Sequence, residues 1–327
     1  MALDEYKDKL NLKEDIRVKR VIITGATGAI GTALIHQLIR ENVEILVLCR
    51  EGSKRNVQIP VHPLVHTKYC TLDQLAGLEN DMKKKYDVFY HFAWDGTTGC
   101  AREDMYCQNK NVQYALDAVK VAARFGCNIF IGAGSQAEYG RVEGILRPNT
   151  PTNPETGYGI GKLCAGHMTR EYAHQLGIHH IWTRILSVYG PNDGMQSMVM
   201  STIHKLKKGE VPQFTKGEQM WDYLYSGDAA QAFYLLGEKG IDGKTYVVGS
   251  GTARPLLEYI KEIRDVVAPE AEIALGTIPY TERQVMHLQA DITELKNDTG
   301  WAVTTDFLSG IKQIVSTENG SKSVNKG

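Results

Sequence analysis

The chain has 327 residues, of which 43% are hydrophobic and 23% charged, and its formal net charge is −1. That balance excludes a disordered or collagen-like chain and is enough for one large core or two joined ones. A near-neutral chain exerts no general pull on nucleic acid or an anionic membrane, so any anion must be held by local groups and the expected partner is small.

In chain order, the opening "MALDEYKDKLNLKEDIRVKR" is charged throughout, and no later run reaches the roughly 18 apolar residues of a membrane helix. Neither export nor membrane anchoring is expected. "RVIITG" reads as a buried strand, "IGTALIHQLIREN" as an amphipathic helix and "VEILVLC" as a second strand. The alternation continues through "DVFYHFAW", "NVQYALDAVKVAARFG" and "NIFIGAG", then a helix candidate "ETGYGIGKLCAGHMTREYAHQL" and a buried strand "HHIWTRILSVYGP". Successive βαβ units of this kind predict an α/β fold with a doubly wound parallel sheet. Beyond Pro191 the pattern loosens into helix, loop and short strand, including "MVMSTIHKLKKG" and "TYVVGSG". The six cysteines, Cys49, Cys70, Cys100, Cys107, Cys127 and Cys164, form no CxxC pair and lie at no metal-ligand spacing. No metal site and no disulfide framework is expected, and a reducing cytoplasm suits them best.

Between the first strand and the first helix, Gly25, Gly28 and Gly31 stand in a GxxGxxG spacing. Glycine there permits a tight turn and lets backbone amides approach a pyrophosphate at the positive end of the helix. Thr27 and Ile30 belong to the same candidate cofactor turn. On this reading residues 16–190, with elements returning at about 225–250, form a Rossmann dinucleotide-binding body. Residues 191–224 and 251–317 form a smaller mixed α/β substrate portion, and 318–327 a flexible tail. The second strand ends "VLCREGSKR", placing Arg50, with Lys54 and Arg55 behind it, where a reader of the NAD ribose would carry Asp or Glu. A guanidinium suits a 2′-phosphate, so NADP(H) is favoured over NAD(H), the other reading being a solvated basic loop.

Tyr158 and Lys162, in "YGIGK", are four residues apart and share a helix face. A tyrosine near its ordinary pKa of about 10 must lose about 3 units to act as an acid–base near neutrality. A lysine ammonium about 4 Å away at an effective dielectric near 20 supplies on the order of 4 kcal/mol toward that. An isolated YxxxK is ordinarily only a surface pair. The apolar strand running into Ser135 in "FIGAGSQAEYG" changes this, because its C-terminal end is the edge where doubly wound sheets bind ligands. Ser135 can hydrogen-bond the oxygen that Tyr158 protonates.

With "TGATGAIG", "YHFAW", the serine strand, "YGIGK", "RILSVYGPND", "WDYLYSGDAAQAFYLL" and "ADITELKNDTGW" in this order, nearly the whole chain resembles the extended short-chain dehydrogenase/reductase family. The likeness is to its NAD(P)-dependent nucleotide-sugar epimerase, dehydratase and reductase branch. It implies Tyr158 as acid–base, Lys162 orienting the nicotinamide ribose and lowering the tyrosine pKa, and Ser135 on the reacting oxygen. It further implies that Asn111 supports the active site, that Ala93 lies close to the cofactor, and that two helices per subunit form a homodimer.

Departures from the family pattern narrow the reaction. Sugar 4,6-dehydratases carry Thr-Asp-Glu where this chain has Ser135, Gln136 and Ala137, so the carboxylates that expel water are missing. Glu138 is one position further on and aimed elsewhere by strand alternation. Two enzyme readings remain. One is an NADPH-dependent reductase of a nucleotide-linked 4-keto-6-deoxyhexose, favoured by Arg50; the other is a 4-epimerase that retains NAD. A non-catalytic NADP-binding regulator is an alternative of another class. The substrate-side candidates are Ser135, Gln136, Trp94, Trp221 and Arg283, the last matching a family arginine on the diphosphate. Trp221 stands where relatives have the arginine of an "RDF" motif, Ser187 replaces a frequent asparagine, and Asp73 is the candidate adenine-side acid.

Overall fold

In a computed structural model of the chain, residues 17–324 are described. Residues 1–16, most of the charged opening segment, and the last three residues lie outside them. Strands β1 (Arg20–Thr24), β2 (Glu44–Cys49), β3 (Val65–Tyr69), β4 (Val88–His91), β5 (Ile129–Ser135) and β6 (His179–Ile185) enter one sheet, joined much later by β10 (Thr245–Val248). Its order is β10-β6-β5-β4-β1-β2-β3, and every neighbouring pair is parallel. The expected doubly wound α/β sheet is therefore present.

Strand alternation decides which helix covers which face. Val21 and Ile23 of β1 join the core under α1 (Ala29–Arg40) and α5 (Ser226–Lys239). Ile22, between them, faces the opposite core under α2 (Met105–Arg124) and α3 (Gly157–Gln175). Because both faces are covered, the central strands read as unbroken apolar runs. The edge strand β3, "VHTKY", is half exposed and carries no such run, so sequence pattern alone does not mark it.

"HHIWTRILSVYGP" is not one strand. β6 stops at Ile185, and Ser187–Tyr189 leaves as β7 to pair with β9 (Tyr223–Tyr225) in a separate ribbon. The break falls at Leu186, whose amide bonds the Val248 carbonyl while its side chain enters a different apolar cluster with Tyr139 and Leu288. The remaining elements are α4 (Met198–Lys207), β8 (Met220–Trp221), β11 (Arg254–Pro255), α6 (Leu256–Val267), α7 (Thr293–Thr299) and α8 (Phe307–Val324). Tyr189, Tyr259 and Phe307 make the aromatic centre of the cluster that α4, α6 and α8 enclose. Asp222, fully buried, joins this region to the sheet by accepting from the amides of Ser250, Gly251 and Ala290. Backbone from 318 to Val324, where a tail is expected, continues α8. Among the described residues no helix is long and apolar enough to cross a membrane, and all six cysteines are unpaired.

Candidate active site

The sheet order reverses between β1 and β4, and an open cleft of about 490 Å³ lies at their C-terminal ends. Gly25 sits there with φ +71°, and a Cβ on it would lie 2.6 Å from the Ala93 amide nitrogen. A Cβ on Gly31 would lie 2.5 Å from the Gly25 carbonyl oxygen. These two glycines close the turn onto β4 and seat α1 against it. Gly28 differs: its missing side chain faces only the Gly25 carbonyl at 3.8 Å, leaving the mouth of the helix open to the cleft. It caps α1 without a side chain, so the orphan amides of the first turn remain available to an anion. Together these features fit a dinucleotide pyrophosphate. Thr27 and Ala93 line the cleft, whereas the Ile30 side chain packs on the core and can offer only its backbone.

At the far end of the cleft the three basic residues separate. Arg50 lines it, exposed, with no ion-pair partner among the described residues. Arg55 is committed: its Nη2 donates to the Thr27 carbonyl at 2.7 Å and lies 3.4 Å from that of Asn192, tying the loop after β2 to the glycine turn. Lys54 is not among the lining residues. Asp73 is, beside Thr71 and Leu72.

Tyr158 and Lys162 occupy the first turns of α3, capped by Thr156, whose hydroxyl accepts from the Gly159 amide. Their intervening glycines are packing devices. A Cβ on Gly159 would run into the Ala137 carbonyl, and one on Gly161 would press on Gln108 of α2 at 3.3 Å. Close approach brings the Tyr158 hydroxyl beside the Ser135 side chain. The resemblance implies that Lys162 lowers the tyrosine pKa, but Lys162 is not among the groups that shift it in the structure. Burial dominates and holds the phenol above its ordinary value, opposed by the Ser135 side chain and then by the charge of Arg102. The Lys162 ammonium stands 5.7 Å from the phenol ring centroid, donates to the Ala133 carbonyl at 2.6 Å and lies 3.8 Å over the Trp94 ring. Burial takes its own pKa down to about 7, so its charge is only partial near neutrality.

Three residues that carry no motif hold this arrangement. Gln108, buried on α2, accepts from the Trp94 indole at 2.8 Å and donates to the Gly96 and Ala101 carbonyls at 2.9 Å each. Arg102 lays its guanidinium 4.1 Å from the Tyr158 ring centroid. Glu138, fully buried, accepts from the Ser135 amide at 2.9 Å, the Trp182 indole at 3.0 Å and Arg184 Nε at 2.8 Å. Glu138 therefore faces away from the reacting position, but it is the 3-10 turn Gln136–Glu138, not the alternation of an extended strand, that aims it there. Only its type, a lone carboxylate after the serine strand, marks it in the sequence.

Asn111, buried on α2, clamps both backbone groups of Asp95 at 2.9 and 2.8 Å and so fixes the loop after β4. Trp94, in that loop, lines the cleft and meets Tyr158 edge-on at 6.2 Å, making it the contact between cleft and pair. Gln136 follows Ser135 in a short 3-10 turn, half-buried. Trp221 is partly buried between two apolar clusters and donates to the Ser187 hydroxyl at 2.8 Å, so the two departures from the family pattern are bonded to each other. Arg283 is exposed, 3.5 Å from the Glu155 carbonyl at the start of α3.

Residues 21–249 match the family model described as NAD dependent epimerase/dehydratase family. The chain is 22% identical to the dTDP-glucose 4,6-dehydratase of Neisseria gonorrhoeae, over 91% of this chain and 94% of that one. It is 28% identical to a trifunctional UDP-glucose 4,6-dehydratase, 3,5-epimerase and UDP-4-keto-L-rhamnose-reductase of Arabidopsis thaliana, over 91% of this chain and 46% of that protein. Its fold superimposes on the UDP-glucuronic acid 4-epimerase of Bacillus cereus in complex with NAD, with a TM-score of 0.78 and 18% identity over 91% of this chain and 99% of that one. The chain belongs to the NAD dependent epimerase/dehydratase family.

Proposed function

We propose that this family member exchanges hydride between a nicotinamide dinucleotide and a carbon of a nucleotide-linked sugar, with Tyr158 as acid–base, and that its net reaction is NADPH-dependent reduction of a keto-sugar. The bound dinucleotide supplies the hydride chemistry. The chain's residues would supply the rest: the glycine turn for the pyrophosphate, Lys162, one turn along the helix from Tyr158, as the candidate for the nicotinamide ribose, and Ser135 and Tyr158 for the reacting oxygen. The observation that carries the reading is the placement of Tyr158 beside Ser135 at the C-terminal edge of the sheet, with Trp94 of the glycine cleft against its ring.

One feature favours reduction. Arg50, at the ribose end of the cleft without an ion-pair partner among the described residues, suits a 2′-phosphate. Dehydration is disfavoured, since Glu138 is consumed by Arg184 and Gln136 and Ala137 bring no acid. Epimerisation at C4 is the second reading, favoured by the kinship with NAD-dependent epimerases. One assay separates them: with a 4-keto-6-deoxyhexose nucleotide, absorbance at 340 nm should fall as NADPH is consumed, and NADPH should bind tighter than NADH. Tighter NADH binding, together with UDP-glucose and UDP-galactose interconverting without added cofactor, would replace reduction by epimerisation.

The same reading includes a homodimer in a reducing cytoplasm, built on α2 and α3, which pack side by side. Ile160, Cys164 and Met168 share one face of α3 at successive i, i+4 positions, and Tyr106 of α2 is 85% exposed. Sedimentation should give twice the 36.4 kDa chain mass, and Met168→Glu should return it to one. A wild-type monomer at micromolar concentration removes this part.

A further inference from the structure

We propose that Arg102 is a positioning residue for the proton transfer, a fixed cation stacked on the Tyr158 ring that stabilises the phenolate left when the proton is given up. This rests on the reading of Tyr158 as acid–base. No motif marks the residue. It ends a single 3-10 turn, Gly99–Arg102, in the loop between β4 and α2, a segment whose sequence reads as an ordinary polar connection.

The geometry points to a placed group. The guanidinium carbon lies 4.1 Å from the ring centroid, within the range of a face-on cation–π contact. Nη1 donates to the Thr97 carbonyl at 3.0 Å, which anchors the side chain in its own loop. No carboxylate forms an ion pair with Arg102 among the described residues: neighbouring Glu103 is turned to the Gly157 amide, and Glu155 is paired with Arg141. The charge is half-buried, uncompensated and directed at one ring.

The other groups facing Tyr158 leave this role open. Ser135, from β5, lies beside the hydroxyl and is neutral. Lys162, from the same helix, is 5.7 Å from the ring centroid and occupied by the Ala133 carbonyl and the Trp94 face. Glu138, from the turn after β5, acts on the phenol in the opposite sense and is paired with Arg184. Trp94 contributes only its ring. A guanidinium also stays charged at every accessible pH, whereas the Lys162 ammonium titrates near 7. A permanent cation on the phenolate makes proton transfer independent of the lysine's own protonation.

The test uses Arg102→Met, which keeps the length of the side chain and removes the charge, and Arg102→Lys, which keeps the charge and loses the plane. Each protein is saturated with oxidised dinucleotide, NAD⁺ or NADP⁺, whichever binds tighter. Phenolate absorbance near 295 nm is then titrated, with the Tyr158→Phe counterpart in the same background subtracted. The Tyr158 midpoint should rise by about one pH unit in Arg102→Met, a tenfold change in acidity, and return most of the way in Arg102→Lys. The alkaline shift should recur in the pH profile of kcat. Coincident midpoints in wild type and Arg102→Met, with both folded by circular dichroism, overturn the proposal. This titration needs no sugar substrate, so it can fail while the reductase reading stands; a Tyr158 signal absent from all three proteins would instead remove the acid–base reading on which the proposal depends.

Discussion

Replacing Tyr158 by Phe should lower kcat by about 10³-fold, equivalent to roughly 4 kcal/mol of transition-state stabilisation, while dinucleotide affinity stays within about twofold. The two halves of that expectation come from different atoms. The ring of Tyr158 makes the structural contacts: Arg102 stacks on its face and Trp94 meets its edge, and phenylalanine preserves both. The hydroxyl is the proton donor of the proposed reaction, and phenylalanine deletes it. On the proposed reading the dinucleotide is held by the glycine turn and its cleft, whose lining does not include Tyr158. Stopped-flow turnover and a fluorescence titration of cofactor measure the two separately. A variant retaining more than a tenth of wild-type kcat would mean that the proton comes from elsewhere. Survival of the cellular role without turnover would show that a bound-dinucleotide sensor, not an enzyme, is what the cell uses.

Glu138→Ala should destabilise the fold by about 3–5 kcal/mol, the range expected when one member of a buried ion pair is removed. Arg184 is 7% exposed and Glu138 not at all. Without the carboxylate, the guanidinium keeps only the Pro148 carbonyl at 3.0 Å and the Tyr139 ring, 4.5 Å from its centroid. The Ser135 amide and the Trp182 indole N–H lose their acceptor as well, each a buried donor left unsatisfied. The loss should appear as a lower urea midpoint in equilibrium unfolding. Activity should fall too, since the Ser135 backbone is held by the same carboxylate. A change smaller than about 1 kcal/mol would mean that water or a rearranged Arg184 satisfies the site, and the network would then be incidental to stability.

Much of the fold was legible because its physics is local. A strand covered on both faces is an apolar run, and a helix on one face has a 3.6-residue stripe, so β1, α1, β2, β4, α2 and β5 stand out in the sequence. The half-exposed edge strand β3 and the break at Leu186 did not, because each depends on what a neighbouring strand does. The site divides in the same way. Gly25, Gly28, Gly31, Ser135, Tyr158 and Lys162 are residues whose type and spacing carry their chemistry. Arg102 and Gln108 are ordinary residues in type and gain their roles only through what they face.

By itself the sequence determined the doubly wound sheet, the cleft at its C-terminal edge and the tyrosine beside it, since hydrophobic period, glycine spacing and i, i+4 register are properties of neighbours along the chain. Tertiary structure alone decided the electrostatics. It turned Lys162 onto Trp94 and the Ala133 carbonyl, buried Glu138 against Arg184, and brought Arg102 from a distant loop onto the phenol. Charge interactions depend on distance and on burial, and neither can be read along one dimension.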